Sequence, residues 1–412
     1  MTRAATPDVA AALADAIARY TARNPKSQER AERAKRVLPG GNTRSVLHFD
    51  PFPLAFERGE GAYLTSLDGD RYVDLLGEFT AGLYGHSNPI ILDAVREALD
   101  QGISYGATND LEHQLAELLC GRFNALELVR FTNSGTEANL MALALATHHT
   151  RRDHILVFKG GYHGGVLAFG GGEPSPVTVP HRWVLGDYDD VEGTRALIRE
   201  HADTLAAILV EPMLGSGGCI PASPAFLTML REEATEHDAL LIFDEVMTSR
   251  LPRPHVKPDL MTLGKYLAGG MSFGAFGGRR DLMSDYDPTR PNALFHAGTF
   301  NNNVVSMRAG IAGLTHVLTD EALQALNARG DDLRARLNAI GHGIHVTGQG
   351  SLMTIHPRDE TLKPLLFFEL LDAGYWIASR GMLALSLPVT DEMTEGFAAA
   401  LETILDRHAA LC

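Results

Sequence analysis

The chain has 412 residues, 45% of them hydrophobic and 21% charged, and a formal net charge of −15. That length can bury more than one core, and an acidic chain without a basic stripe excludes a nucleic-acid binder. The longest basic cluster, Arg33, Lys35 and Arg36, is mixed with Glu29 and Glu32 and reads as a solvated helix face. Cys120, Cys219 and Cys412 are too few and too scattered for a disulfide framework or a zinc site, so no metal is expected. The first twenty residues carry Asp8 and Asp15 and no apolar run, unlike a signal peptide. No stretch approaches the roughly 18 apolar residues of a membrane span. A soluble, cytoplasmic protein is expected.

Val9, Leu13, Ile17 and Tyr20 share one helical face, and a second helix over Ser27–Leu38 should stop at Pro39-Gly40-Gly41. Residues 52–76 hold short strand-like runs with a turn at Asp68-Gly69-Asp70. Helices are expected near 89–101 and 110–121. A strand–helix alternation follows, with strands at Leu128–Phe131, His154–Phe158, Ala207–Val210, Leu240–Phe243 and Leu260–Leu263. Short apolar runs of this kind are buried parallel strands. Glycine-rich turns follow many of them at the C-terminal ends, where open α/β sheets bind ligands. Beyond residue 318 the pattern turns α+β: a helix at 320–340, strands at His345–Val346 and Ser351–Ile355, a helix over Lys363–Ala373, further strand, and a last helix opened by Thr390 with Asp391 and Glu392 in its first turn. The fold class is α/β. A large, mostly parallel-sheet domain spans 76–317, and a smaller α+β domain combines 1–75 with 318–412.

Three segments carry chemistry. Phe131-Thr132-Asn133-Ser134-Gly135-Thr136-Glu137-Ala138 joins a strand to a helix. Free N–H groups and the Ser134 and Thr136 hydroxyls at that helix start can cradle a phosphate, although an ordinary N-cap has the same residues. Asp244, in Phe243-Asp244-Glu245-Val246, ends a buried strand and can pair with a protonated pyridine nitrogen, keeping such a ring able to absorb carbanion electrons. A helix cap or a metal ligand would also suit it. Lys265, in Thr262-Leu263-Gly264-Lys265-Tyr266, lies among small and apolar residues. Desolvation there would depress its pKa and make the amine a nucleophile, where the ordinary reading is a surface lysine. In Gly160-Gly161-Tyr162-His163-Gly164-Gly165 an aromatic ring on a turn can stack on a planar cofactor, and no dinucleotide-binding glycine pattern accompanies it. His163 reads as structural. His296-Ala297-Gly298-Thr299-Phe300, before three asparagines, offers a further hydroxyl at Thr299.

In this order the motifs TNSGTEAN, GGYHGG, VEP, FDEVMTSR, TLGK and GTFNNN resemble the class III aminotransferases of fold type I, over roughly residues 35–390. The resemblance implies pyridoxal phosphate as cofactor and a homodimer with shared active sites. It implies Lys265 as the Schiff-base lysine and proton shuttle, with Asp244 on the pyridine nitrogen. Ser134, Gly135 and Thr136 would bind the phosphate, with Thr299 reaching it from the partner subunit. Tyr162 and Val246 would lie on the two ring faces, and Glu211 would support the site less directly. Glutamate-1-semialdehyde aminomutases resemble the chain in GTEAN, GYHG and DEVMT. PGGNTRSVL (39–47), GGVLAFG (164–170), GKYLAGGMSFGAFGGR (264–279) and HAGTFNNNV (296–304) are more similar to the aromatic β-amino acid aminotransferases. That likeness implies Arg44 on the substrate carboxylate and Arg380 as a second arginine near the substrate. The expected partners are an aromatic β-amino acid donor and a 2-oxo acid acceptor such as 2-oxoglutarate or pyruvate. One departure is the connection from Arg250 to Pro258, shorter than the family pattern, which makes the outer pocket less defined.

Overall fold

The computed structural model describes residues 7–411. The chain divides into two compact units, one spanning Pro89–Asp320 and the other combining the residues up to Asn88 with those from Glu321 onward. The first division falls after Asn88 rather than near residue 75. Gly61 and His86 exchange backbone hydrogen bonds of 2.9 and 2.8 Å, which tie the segment after residue 76 to the strands before it.

The central unit holds a seven-stranded sheet: β1 (Leu128–Thr132), β2 (His154–Phe158), β3 (Arg182–Gly186), β4 (Leu205–Val210), β5 (Leu240–Asp244), β6 (Leu260–Gly264) and β7 (Gly274–Gly278). The spatial order is β1-β7-β6-β5-β4-β2-β3. Strands β3, β2, β4, β5 and β6 pair in parallel, while β7 runs antiparallel between β6 and β1. Helices cover both faces, so β4, β5 and β6 are buried along their whole length. Alternate residues enter opposite cores. Ile155, Val157, Leu209 and Ile242 meet Ala138, Ala142 and Leu145 of the helix Gly135–Thr150. Leu156, Phe158, Ile208, Leu241 and Phe243 meet Ile198 and the helix Pro224–Glu236 through Phe226 and Leu230. Burial on both faces is why the apolar runs are continuous rather than alternating.

Two strands of this sheet lie outside the expected set, β3 and β7. The sequence of β7, Gly-Ala-Phe-Gly-Gly, has no β-branched residue, and its glycines answer to packing instead. A Cβ at Gly274 would lie 2.1 Å from the Ser134 carbonyl oxygen, one at Gly277 2.3 Å from that of Leu128, and one at Gly278 2.1 Å from that of Asp259. Neighbouring backbones occupy the space where side chains would project.

In the unit built from both chain ends, Phe56–Glu60, Tyr63–Ser66, Arg71–Asp74 and Tyr375–Trp376 form one sheet, so the two ends share a ladder. A second, antiparallel sheet comprises Ile344–Gln349, Leu352–Pro357 and Met382–Ala384. The helix Pro7–Arg23 turns Tyr20 inward, its hydroxyl donating to the Phe52 carbonyl at 2.9 Å and its ring against Phe368. Its Arg19 reaches Glu369 (2.8 Å) and Asp372 (2.7 Å) of the helix Lys363–Asp372. The second helix is Pro25–Ala34, shorter than the expected Ser27–Leu38, because turns precede the Pro39–Gly41 breaker. No described helix is long and apolar enough to cross a membrane.

Candidate active site

The C-terminal ends of β1, β2, β4, β5 and β6 open on one cavity of about 280 Å³. Antiparallel β7 brings its N-terminal end to the same edge, adding Met271, Ser272 and Phe273. Eight residues that the sequence placed in the site line this cavity together: Ser134, Gly135, Thr136, Tyr162, Glu211, Asp244, Val246 and Lys265.

Asp244, the last residue of β5, is 4% exposed. Its Oδ2 accepts from Asn139 Nδ2 at 2.8 Å and lies 2.8 Å from His163 Nδ1, and its Oδ1 accepts from the Val246 amide at 3.0 Å. Asn139 is itself held, since its Nδ2 also donates to the His163 carbonyl (2.9 Å) and its Oδ1 accepts the Thr262 hydroxyl (2.7 Å). Asn139 is buried one turn inside the helix that Ser134 caps, where Ser134 Oγ accepts from the Glu137 amide at 3.1 Å. Capping uses the oxygen as an acceptor and leaves the Ser134 O–H available as a donor.

Glu211 lies beneath the turn carrying Tyr162. It accepts from the Tyr162 amide (3.0 Å) and the Gly215 amide (2.9 Å). Burial pushes its carboxyl up to about 7 against the opposing influence of His163. Glu245, next to Asp244 but bonded to the Thr248 hydroxyl at 2.9 Å, is likewise raised by burial to about 7. Lys265 is half-buried just beyond β6, with φ +56°. Two glycines let the cavity close: a Cβ at Gly135 would lie 2.7 Å from Val246 Cγ2, and one at Gly164 2.1 Å from Thr136 Oγ1.

The short connection after β5 is pinned. Arg250 is fully buried, and burial lowers its guanidinium to about 10. Arg253 donates to the Arg122 carbonyl and lies 4.5 Å over the Phe123 ring, while His255 Nε2 meets the Thr228 hydroxyl at 2.8 Å.

The profile of the class-III aminotransferases matches residues 47–170 and 188–405. A β-phenylalanine transaminase of Variovorax paradoxus is 52% identical, over 97% of each chain. The solved structure of a β-phenylalanine aminotransferase from that organism has a TM-score of 0.95 at 51% identity, covering 98% of both chains. A glutamate-1-semialdehyde 2,1-aminomutase of Methanosarcina acetivorans is 36% identical, over 82% of this chain and 86% of its own. A solved transaminase with pyridoxal phosphate bound is 32% identical, with a TM-score of 0.88, covering 94% of this chain and 98% of its own.

The chain is a class-III aminotransferase.

Pyridoxal phosphate is therefore its cofactor, and the cavity suits that molecule. A helix N-terminus with two hydroxyls faces one part, complementing an anion. A carboxylate fixed by three donors lies in another, and a half-buried lysine borders the same space. Two further residues contact Asp244: Asn139, which the sequence did not mark, and His163, which it marked as structural. Asn139 was visible in principle, since a buried asparagine inside an apolar helix is a signal of a bonded partner. His163, read as structural, holds Asp244 directly, a contact across 81 positions that no local pattern marks.

Three of the sequence-derived residues lie outside this cavity. Thr299 is exposed, between the exposed rings of Phe295 (87%) and Phe300 (61%). Arg44 and Arg380 belong to the unit formed by the chain ends, where their guanidinium carbons lie 5.2 and 5.5 Å from the centre of one ring, that of Phe79. Arg44 Nη1 also donates to Glu78 Oε1 at 2.6 Å.

Proposed function

We propose that this aminotransferase moves the amino group of an aromatic β-amino acid, of the β-phenylalanine type, to a 2-oxo acid such as 2-oxoglutarate or pyruvate, and that it works as a homodimer with shared active sites. The observation that carries the substrate reading is the 52% identity to a β-phenylalanine transaminase over 97% of both chains. The aminomutase relative is less similar and covers less of the chain.

Pyridoxal phosphate supplies an electrophilic carbonyl and a ring that accepts the electron pair left when the amine-bearing carbon loses its proton. Lys265 Nζ would hold the cofactor covalently, and its amine would carry that proton away and return it. Asp244 receives the pyridine N–H, and Asn139 and His163 keep its carboxylate oriented. Ser134, Gly135 and Thr136 bind the phosphate through hydroxyl and amide donors, and Thr299 of the partner subunit adds a hydroxyl to the same phosphate. Tyr162 and Val246 hold the ring between them. Arg44 orients the carboxylate of the β-amino acid, and Arg380 assists the carboxylates of the acceptor. A guanidinium fixes both distance and direction when it binds a carboxylate through two nitrogens.

Turnover of β-phenylalanine with 2-oxoglutarate or pyruvate, measured beside isomerisation of glutamate-1-semialdehyde, tests the reading. Isomerisation without β-amino acid turnover would replace it with the aminomutase activity. Arg44→Ala should lower kcat/KM for β-phenylalanine by roughly 10²-fold, the scale of a lost charged hydrogen-bond pair. It should affect carboxylate-free amines much less. Unchanged β-phenylalanine kinetics would remove Arg44 from the site.

A further inference from the structure

We infer that Glu78 sets the substrate range of this enzyme: its carboxylate occupies Arg44 until a substrate carboxylate displaces it. The inference rests on the reading that Arg44 binds that carboxylate.

Glu78 lies in an unusual stretch of backbone. Gly77, Glu78, Phe79 and Thr80 have φ of +52°, +48°, +51° and +82°. L-residues rarely adopt such angles, and three of the four are not glycine. The surroundings impose the conformation. Asp74 Oδ1 accepts the amides of Leu76 and Gly77 at 2.9 and 3.0 Å, and its Oδ2 meets His86 Nε2 at 2.8 Å. The Gly82 amide donates to the Gly77 carbonyl at 2.8 Å. A Cβ at Gly77 would lie 2.7 Å from the Ala384 carbonyl oxygen, so this position excludes any side chain. Strained backbone maintained at such cost is concentrated at sites of function. The product of the strain here is specific: it presents Phe79 to two guanidiniums and Glu78 to one of them.

The Arg44–Glu78 pair is built to exchange. Its side chains are 47% and 58% exposed, and an ion pair that open is worth at most about a factor of five in equilibrium. Glu78 bonds Arg44 through Nη1, whereas an incoming carboxylate can engage two guanidinium nitrogens at once. A displaced Glu78 has room, because Glu78 and Phe79 border a cavity of about 400 Å³ that also carries the polar groups of Arg30 and Asn42. An aromatic amine without a carboxylate would leave Glu78 in place, and Arg44 would keep its counter-ion. One site can thus take both substrate classes, with carboxylate binding weakened by the competition.

The test uses the holoenzyme, titrated calorimetrically with 3-phenylpropanoate, which has the carboxylate and ring but no amine. Glu78→Gln removes the competing charge. Glu78→Asn does the same with a residue that tolerates left-handed backbone, should the first variant fold poorly. Both should tighten 3-phenylpropanoate roughly two- to sixfold, the most that removing such a competitor allows. Both should lower KM for β-phenylalanine similarly, with kcat carrying little of the change, while KM for 1-phenylethylamine does not fall. Unchanged or weaker binding in a folded Glu78 variant, with Arg44→Ala still abolishing the affinity, overturns the inference and leaves the role of Arg44 standing. If Arg44→Ala binds 3-phenylpropanoate as the parent does, the reading of Arg44 fails and this inference falls with it.

Discussion

Replacing Asp244 by asparagine preserves shape and volume, yet the structure gives it a large cost. The carboxylate meets three N–H groups, from Asn139, His163 and Val246, at 2.8, 2.8 and 3.0 Å. An asparagine has one accepting oxygen. If that oxygen keeps the Val246 amide, the new NH₂ points at Asn139 and His163. His163 can adapt by adopting its other tautomer. Asn139 cannot turn its amide over without losing the Thr262 hydroxyl, which its oxygen already accepts at 2.7 Å, and the His163 carbonyl. At least one buried donor then has no acceptor. A lost hydrogen bond to a charged group, about 1.5–3 kcal/mol, together with an unsatisfied buried donor, about 1–3 kcal/mol, makes a loss of about 2.5–6 kcal/mol. Urea unfolding of the cofactor-free protein measures this without any contribution from catalysis. In the holoenzyme the amide also lacks the charge that pairs with a pyridine N–H, so turnover should fall at least about 10²-fold while the cofactor is still bound covalently. A cofactor-free variant within about 1 kcal/mol of the parent would show that this donor cluster does not hold a carboxylate, and the argument would fail.

Lys265→Ala should abolish turnover, and borohydride should fix the cofactor to the parent protein but not to the variant; a peptide map with the cofactor on another lysine refutes the assignment. Glu245, with its folded carboxyl raised by burial to about 7, is more easily protonated folded than unfolded. Its contribution to stability is therefore full below about pH 4.5 and is lost as pH rises through about 7. Glu245→Gln keeps the Thr248 contact and removes the titration, so thermal unfolding at pH 8 should show the variant more stable than the parent by up to about 3 kcal/mol, with no gain at pH 4.5. Mixing Lys265→Ala with Thr299→Ala, each inactive or nearly so alone, should restore activity through heterodimers with one intact site. A fully active monomer in sedimentation would exclude the shared-site arrangement.

The buried parallel strands were legible because each is an apolar run without interruption. Leu240–Phe243 and Leu260–Leu263 were placed to within one residue of the observed β5 and β6. The motif residues were legible for a related reason, since Asp244 and Lys265 are polar groups placed where such runs end. What escaped has no local signature. Strand β7 is written in glycine because adjacent carbonyls crowd it, and glycine ordinarily marks a loop. The bonds from His163 and Asn139 to Asp244 span 81 and 105 positions. Nothing in the run Gly77-Glu78-Phe79-Thr80 announces left-handed backbone at three residues that carry side chains.

The sheet also accounts for how motifs scattered from residue 131 to residue 273 line one cavity. Parallel strands that are neighbours all end on the same edge, so each strand–helix crossover returns the chain to the opposite edge and lets the next strand deliver its last residues to the cavity. Ser134, Tyr162, Glu211, Asp244 and Lys265 come from five deliveries of this kind, at the ends of β1, β2, β4, β5 and β6, while β3 delivers none. Strand β7 breaks the pattern by running antiparallel, and its N-terminal end consequently supplies Ser272 and Phe273. The length of a crossover is then free to vary while the cavity stays fixed. The short connection from Arg250 to Pro258 is such a variation. It is anchored at Arg122, Phe123 and Thr228, none of which lines the cavity. Asp244 and Lys265 keep their positions because β5 and β6 pair directly, Asp244 opposite Thr262, and that ladder does not depend on the loop joining them.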